Sequence, residues 1–291
     1  MKKTLFVTAL FAALSGVAHA DTSVTLYGLI DTGVGFQRIK GNDGYKESKV
    51  GMTNGVSSGS RWGLRGAEDL GDGLSAVFTL ESGFNSANGQ SGQSSRLFGR
   101  QATVGLKSDS WGLLEFGRQT NIASKYFGAI DPFGASYGQA NVGAAFGAAN
   151  TVRHDNMVQY STPSFGGFQV GLGYSFNVAD TTAAQTGFKT ADNTRAITAG
   201  VRYVNGPLNV ALSYDQLNLA NQVAGANDSS PKQWIIGGSY DFEVVKLALA
   251  YGQTRDGWFT GQAINAFGSG STTAKTVSYT HLRAHETRED L

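Results

Sequence analysis

The chain has 291 residues, enough for one large domain or two small ones, and it contains 40 glycines but only four prolines. Charged residues make up 15% of the chain and the formal net charge is +1, which argues against a nucleic-acid partner. The absence of cysteine excludes disulfides and thiolate metal sites.

The N-terminus has the pattern of a secretory signal peptide. Lys2 and Lys3 form a charged region, residues 4–17 form an apolar region, and residues 18–20 read Ala-His-Ala, a small-residue cleavage site. The apolar run is shorter than the ~20 residues that a membrane-spanning helix needs. We therefore predict a signal peptide at residues 1–20, so that the mature chain is either soluble outside the cytoplasm or crosses a membrane as a barrel.

Alternating apolar and polar residues predict about eleven strands before Lys275, where a further strand begins. Residues 40–59 read as a polar loop. Arg100 falls on the apolar side of its strand, and a bulge at Gly99 would turn it the other way. The predicted strands are residues 23–36, 60–68, 74–82, 97–107, 113–119, 156–162, 168–177, 195–204, 208–217, 232–242 and 244–254.

Residues 121–151 show neither a sustained helical stripe nor strict alternation, and a segment of this length without regular structure is usually functional or disordered. Disorder fits poorly because the segment is rich in aromatic residues, which need an enclosure. One interpretation is a loop folded into the lumen of a barrel; the other is a surface insertion or lid. The aromatic residues are Tyr126, Phe127, Phe133, Tyr137 and Phe146.

The spacing of the loops favours a membrane barrel. Short turns alternate with long polar loops along the chain, and aromatic residues lie near the strand ends. This is typical of an all-β, antiparallel transmembrane barrel, in which closure leaves no unpaired edge in lipid. A soluble β-sandwich is the alternative.

Several segments resemble the Gram-negative general porins of the neisserial and Bordetella type, in the order and spacing of that family: SVTLYGLIDTGV, SRWGLRGAEDLGDGLSAVFTLESGF, RLFGRQATVGL, WGLLEFGRQ and NMVQYSTPSFGGFQVGLGY. The resemblance implies an outer-membrane homotrimer of 16-stranded barrels, surrounded by lipid and lipopolysaccharide. It also implies that an inward-folded third loop narrows a water-filled pore for small hydrophilic solutes and ions.

The C-terminal part departs from the family pattern. Only about eleven or twelve strands are predicted, and the last residues are rich in charges and histidine, with no terminal aromatic residue. We expect an incomplete porin barrel at residues 21–276 and an atypical tail at residues 277–291, foreign or frame-shifted in origin. A divergent natural end is the alternative.

The sequence contains no convincing constellation for an enzyme, a cofactor or a metal. Outside the predicted leader and tail the only histidine is His154, beside Asp155, and the acidic residues are scattered. We therefore expect a passive channel that is not an enzyme. The alternative function is a plugged barrel that acts as an adhesin or a structural surface protein.

The candidate site is a set of arginines with one acidic partner. Arg61 and Arg65 point away from the apolar face of their strand, and Arg153 lies where the long loop ends. Arg100 and Arg118 resemble positions of the family, although their strand parity is ambiguous. Facing Asp131, these side chains would set a transverse field across a constriction and favour anions.

Part of the long loop is also a candidate for the constriction itself, because it is similar to the Pro-x-x-Gly-type motif of the family's third loop. The acidic residue precedes the proline here. The predicted constriction-loop residues are Asp131, Pro132, Phe133 and Gly134.

Overall fold

The computed structural model describes residues 23–41, 44–136, 141–179, 193–219, 230–256, 258–260, 263–265 and 273–284. The predicted signal peptide, Tyr137 and residues 285–291 of the predicted tail lie outside these ranges.

Sixteen strands are described, and their bounds are β1 Ser23–Leu29, β2 Thr32–Lys40, β3 Lys46–Asn54, β4 Arg61–Gly71, β5 Leu74–Gly83, β6 Gln101–Ser108, β7 Gly112–Thr120, β8 Arg153–Ser161, β9 Phe168–Ser175, β10 Arg195–Asn205, β11 Leu208–Asn218, β12 Lys232–Asp241, β13 Val245–Arg255, β14 Trp258–Thr260, β15 Ala263–Asn265 and β16 Thr273–Ala284. Twelve of them form one antiparallel sheet, as the sequence predicts. Its order is β1-β4-β5-β6-β7-β8-β9-β10-β11-β12-β13-β16.

The first predicted strand, residues 23–36, is wrong as a single element because it breaks at Ile30 and Asp31. The Asp31 carboxylate accepts hydrogen bonds from the amides of Ser57 (2.8 Å) and Ser58 (2.7 Å). These bonds join the break to the connection between β3 and β4. Beyond the break, β2 and β3 form a separate two-stranded sheet. The predicted polar loop at residues 40–59 therefore contains a strand that its many polar residues concealed.

Strand β6 begins at Gln101, four residues later than predicted, so Arg100 does not belong to it. The preceding segment includes a tight turn at Gly92–Ser95, in which Gln93, Ser94 and Ser95 have left-handed φ. The backbone amide of Arg100 donates to the carbonyl oxygen of Glu81 at 3.1 Å. Because β6 begins after Arg100, the parity of the strand does not apply to this residue, and a bulge at Gly99 is not needed to explain it.

The long segment after β7 is more regular than predicted. It contains helix α1 (Ile122–Ile130), the short helix α2 (Val142–Ala145) and a 3₁₀ turn (Gly147–Ala149). Helix α1 begins where the side chain of Asn121 accepts a hydrogen bond from the amide of Ser124 at 3.2 Å. Its apolar residues recur at the spacing of one helical face, and Ile122, Tyr126, Phe127 and Ile130 are buried.

This helical face packs on the sheet, which confirms the loop in the lumen. Apolar residues of α1, α2 and the 3₁₀ turn share one cluster with Ala211, Ile235, Ala248 and Ala250 of β11–β13. We call the side of the sheet that carries these four residues the inner face. Alternate residues of the same strands, including Leu212, Ile236 and Leu249, are about half exposed on the outer face.

Two glycines on the inner face make room for α1. A Cβ atom at Gly171 would lie 2.5 Å from Ile122 Cδ1, and one at Gly200 would lie 2.8 Å from Ile122 Cγ2. Larger residues at these positions would push the helix away from the wall.

Polar side chains fasten the helix to the same wall. Asn121 Nδ2 donates to Asp215 Oδ1 at 2.7 Å, and Thr198 Oγ1 accepts from the amide of Ile122 at 2.9 Å. The loop is therefore held by both apolar and polar contacts to strands that follow it in the chain.

The last strand, β16, pairs with β13 and extends through Ala284, eight residues into the segment that the sequence analysis sets apart as a tail. Strands β14 and β15, which lie between β13 and β16 in the chain, pair with each other in a small separate sheet. Within the described residues, no helix has the length and apolar character required to traverse a bilayer.

Candidate functional site

A cavity of about 490 Å³ lies between the long loop and the inner face near β4–β8. Three predicted arginines line it, Arg61 at the start of β4, Arg100 before β6 and Arg153 at the start of β8. Glu81, near the end of β5, is the acidic residue of the lining. We call this space the basic cavity, because three positive charges face one negative charge.

Glu81 is the acidic partner that the sequence analysis missed. Its carboxylate lies 2.5 Å from Arg100 Nε and 3.8 Å from Arg61 Nε, and it accepts a hydrogen bond from the Tyr27 hydroxyl at 3.0 Å. The register places Glu81 opposite Gly63, which lies between Arg61 and Arg65 on the same face. The alternation of β5 could have predicted this position, because Glu81 lies on the same side of the strand as the polar residues Ser75 and Thr79.

Arg153 is the least neutralised of the three arginines. One of its terminal nitrogens donates to the carbonyl oxygen of Thr151 at 3.3 Å, and its Nε has no hydrogen-bond partner among the described residues. Arg100, Arg118 and Arg61 repel its charge, whereas Glu81 attracts it. A buried donor without a partner is costly.

Arg65 lies on the predicted side of β4 but not in the lining of the basic cavity. Its guanidinium carbon stands 5.6 Å from the centre of the Tyr27 ring, an arrangement in which the cation faces the aromatic ring. The side chain is exposed. Arg65 lies on the same face of β4 as Arg61 but four residues closer to the turn that follows this strand.

Arg118 is buried away from the cavity and serves the structure. Its Nε donates to the carbonyl oxygen of Gly99 at 2.7 Å, and a terminal nitrogen lies 2.5 Å from Asp155 Oδ1. Arg96 lies 2.8 Å from the same oxygen. The parity of Arg118 was ambiguous because the pairing of β7 with β8 is irregular between Gly117 and Gln119.

The structure corrects the expectation that Asp131 faces the arginines. Its side chain is 5% exposed, and its two oxygens accept hydrogen bonds from the amides of Phe133, Ala135 and Val142. The carboxylate thus holds the turn after α1. Of the predicted constriction-loop residues only Gly134 lines the cavity, together with Ala135 and Ser136, whereas Pro132 and Phe133 do not.

His154 and Asp155 are enclosed within the protein. Both side chains are buried, and the Asp155 carboxylate is engaged by two arginines. In the described part of the chain, no group of three or more His, Cys, Asp or Glu side chains is placed to hold a metal ion.

Comparison with known proteins agrees with this architecture. The chain matches the family described as Gram-negative porin over residues 7–284. It is 64% identical over 276 residues to an outer membrane porin protein of Bordetella pertussis, covering 90% of this chain and 72% of the relative. It is 38% identical over 263 residues to outer membrane porin protein 32 of Delftia acidovorans, covering 88% of this chain and 70% of the relative.

Among solved structures, the chain is similar to an anion-selective porin from Comamonas acidovorans. The TM-score is 0.62 at 33% sequence identity, and the likeness covers 80% of this chain and 68% of that chain. The resemblance and the all-β barrel fold predicted from the sequence are confirmed. The chain belongs to the Gram-negative porin family.

Proposed function

We propose that this outer-membrane protein is a water-filled channel for the passive diffusion of small hydrophilic solutes and ions, with a preference for anions. The observation that carries the proposal is the basic cavity, in which Arg61, Arg100 and Arg153 face the single carboxylate of Glu81. The name of the similar Comamonas acidovorans protein, an anion-selective porin, supports the same preference.

The physical reason is electrostatic. Arginine side chains carry a positive charge at neutral pH, so the lining of the basic cavity is net positive. A net positive lining raises the local concentration of anions and repels cations. The Debye length is ~10 Å at 0.1 M salt, so the preference weakens as the salt concentration rises.

Three further features belong to this proposal. The protein carries out no chemical step, it is exported by residues 1–20, and it assembles as a homotrimer in contact with lipid and lipopolysaccharide. The first is supported by relatives that are named as porins, and the others rest on the signal-peptide pattern and on the family resemblance. N-terminal sequencing of the mature protein and native mass spectrometry test the last two.

The test of selectivity is the reversal potential in planar bilayers under a potassium chloride gradient. We expect the sign of the parent's reversal potential to indicate anion selectivity. When Arg61→Ser and Arg153→Ser are combined, we expect the reversal potential to shift in the direction of cation selectivity. Arg255→Ser is the matched control, because Arg255 lies exposed at the end of β13.

Two results would contradict the proposal. A parent that already prefers cations, or a double variant with an unchanged reversal potential, would remove the basic cavity from the selectivity mechanism. A parent that inserts but conducts no current would instead support the plugged barrel.

A further inference from the structure

A second cavity, of about 430 Å³, lies near the turns that follow β6 and β8, and it shares no lining residue with the basic cavity. Its charged lining residues are Lys107, Lys125, Arg202 and Asp109, so three positive charges face one negative charge. Hydroxyl groups of the strand ends complete the lining, among them Ser161 and Thr162. We call it the turn-side cavity.

The sheet and the loop each contribute positive charge to this cavity. Lys107 of β6 lies opposite Ser75 of β5, and Arg202 of β10 lies opposite Gln169 of β9. Arg202 Nε donates to Asn209 Oδ1 at 2.9 Å, which holds the guanidinium against the wall. These residues share the inner face, so that their charges point into one space.

Helix α1 contributes the third cation, which is already engaged. Lys125 Nζ lies 2.9 Å from Gln119 Oε1 and 3.5 Å from Glu115 Oε2, and it also donates to Gln159. The Glu115 carboxylate offsets part of the Lys125 charge, so the positive charge of the cavity comes mainly from Lys107 and Arg202 of the wall.

The decisive group is the hydroxyl of Tyr126, also on α1. The side chain is 4% exposed and lines the turn-side cavity, but its hydroxyl has no hydrogen-bond partner among the described residues. Burial raises the pKa of Tyr126 to about 12, although the charge of Arg202 acts in the opposite direction. The group is therefore a protonated donor at neutral pH, and a buried donor of this kind favours an acceptor.

We propose that the turn-side cavity is a second anion subsite, in which Tyr126, Arg202 and Lys107 hold a small oxyanion such as inorganic phosphate or the carboxylate of a small organic acid. Tyr126 donates one hydrogen bond, and the two cations supply charge-assisted contacts. The inference rests on the proposed channel function and deepens it. Anions that pass the basic cavity meet a second binding position on the side of the short turns.

The test measures how inorganic phosphate reduces the chloride current through single channels of the full-length protein at constant pH. We expect Tyr126→Phe to raise the half-blocking phosphate concentration about tenfold, because it removes one hydrogen bond to a charged group. Arg202→Gln and Lys107→Gln should raise it as well. Tyr214→Phe is the matched control, because that hydroxyl lies on the outer face and donates to Gln216.

The outcomes separate this inference from the proposed function. If Tyr126→Phe, Arg202→Gln and Lys107→Gln all leave the half-blocking concentration unchanged while the parent prefers anions, the second subsite is refuted and the channel function stands. If the parent prefers cations, the proposed selectivity fails. Phosphate binding to the detergent-solubilised protein, measured by titration calorimetry, then decides the subsite on its own.

The proposal remains testable even if one of the variants misfolds. Chloride conductance and melting temperature show whether Tyr126→Phe disturbs the packing of α1. If it does, Arg202→Gln and Lys107→Gln carry the comparison, because both residues lie on the strands of the wall. An unchanged phosphate response in these two variants would overturn the proposal.

Discussion

Glu81 sets the balance of charge in the basic cavity. Its carboxylate lies within 4 Å of Arg61 and Arg100, so it neutralises one of three positive charges and separates two guanidiniums that would otherwise repel each other. One acidic side chain therefore both supports the arginine cluster and limits its effect on passing anions.

The residue-scale prediction concerns this carboxylate. Glu81→Gln should move the reversal potential further toward anions, because it removes the negative charge and leaves a polar group near the Tyr27 hydroxyl. Glu47→Gln, on the exposed strand β3, should leave the potential unchanged. A shift of the Glu81 variant toward cations would mean that the arginines no longer hold their places without the carboxylate.

Asp131 shows what a residue pattern alone does not decide. The sequence correctly placed an acidic residue in the loop, but the direction of its carboxylate depends on which backbone amides the following turn leaves without partners. Three of those amides bind it. Glu81, in contrast, was within reach of sequence reasoning, since strand parity and hairpin register place it beside Arg61.

At the scale of single elements, the strands were the most predictable part of the molecule. Alternation found the strands of the main sheet to within a few residues, except that 23–36 was not recognised as broken and 97–107 began too early. Helix α1 was missed because glycine and alanine dilute its apolar stripe. The spacing of Ile122, Tyr126 and Ile130 behind the cap Asn121 was the available signal.

The element-scale prediction compares two glycines beside α1. Gly128, inside the helix, has open space, since an added Cβ would lie 3.8 Å from the nearest atom, the Cβ of Ala135. Gly128→Ala should therefore stabilise the protein by about 0.5–1 kcal/mol. Gly200→Ala should destabilise it by about 1–3 kcal/mol, because the new methyl group meets Ile122 and Tyr126.

Urea unfolding followed by tryptophan fluorescence measures both changes. The two variants add the same methyl group, and a difference in sign reflects the tight contacts at Gly200, which include the carbonyl oxygen of Leu212 (2.9 Å) as well as α1. If Gly200→Ala is as stable as the parent, the helix does not press on β10 as described.

For the molecule as a whole, the arrangement of connections predicts its orientation in the membrane. The chain contains no cysteine, so a single introduced cysteine gives an unambiguous label. Asn88→Cys, in the long connection between β5 and β6, should react with an impermeant maleimide added to intact cells. Ser110→Cys, in the short turn between β6 and β7, should react only after the outer membrane is opened. Labelling of both from outside would contradict this orientation.

The barrel architecture could be predicted from the sequence because it follows from alternation and from the rhythm of short turns and long loops. The location of the two cavities could not, because both depend on how the long loop packs against strands that come much later in the chain, as in the contact between Ala129 and Lys246, 117 residues apart. These distant contacts determine which cationic side chains line each cavity, so no local sequence pattern predicts it.

The anchoring of α1 to Thr198 and Asp215 also has a consequence for the order of assembly. The hydrogen bonds of Ile122 and Asn121 join residues that are 76 and 94 positions apart in the chain. They therefore form only after β10 and β11 have joined the sheet. Until then the apolar side of the helix, with Phe127 at its centre, has no wall to cover it. Periplasmic chaperones would meet this helix as an exposed hydrophobic segment, and its burial would be one of the late steps by which the nascent protein becomes resistant to proteases.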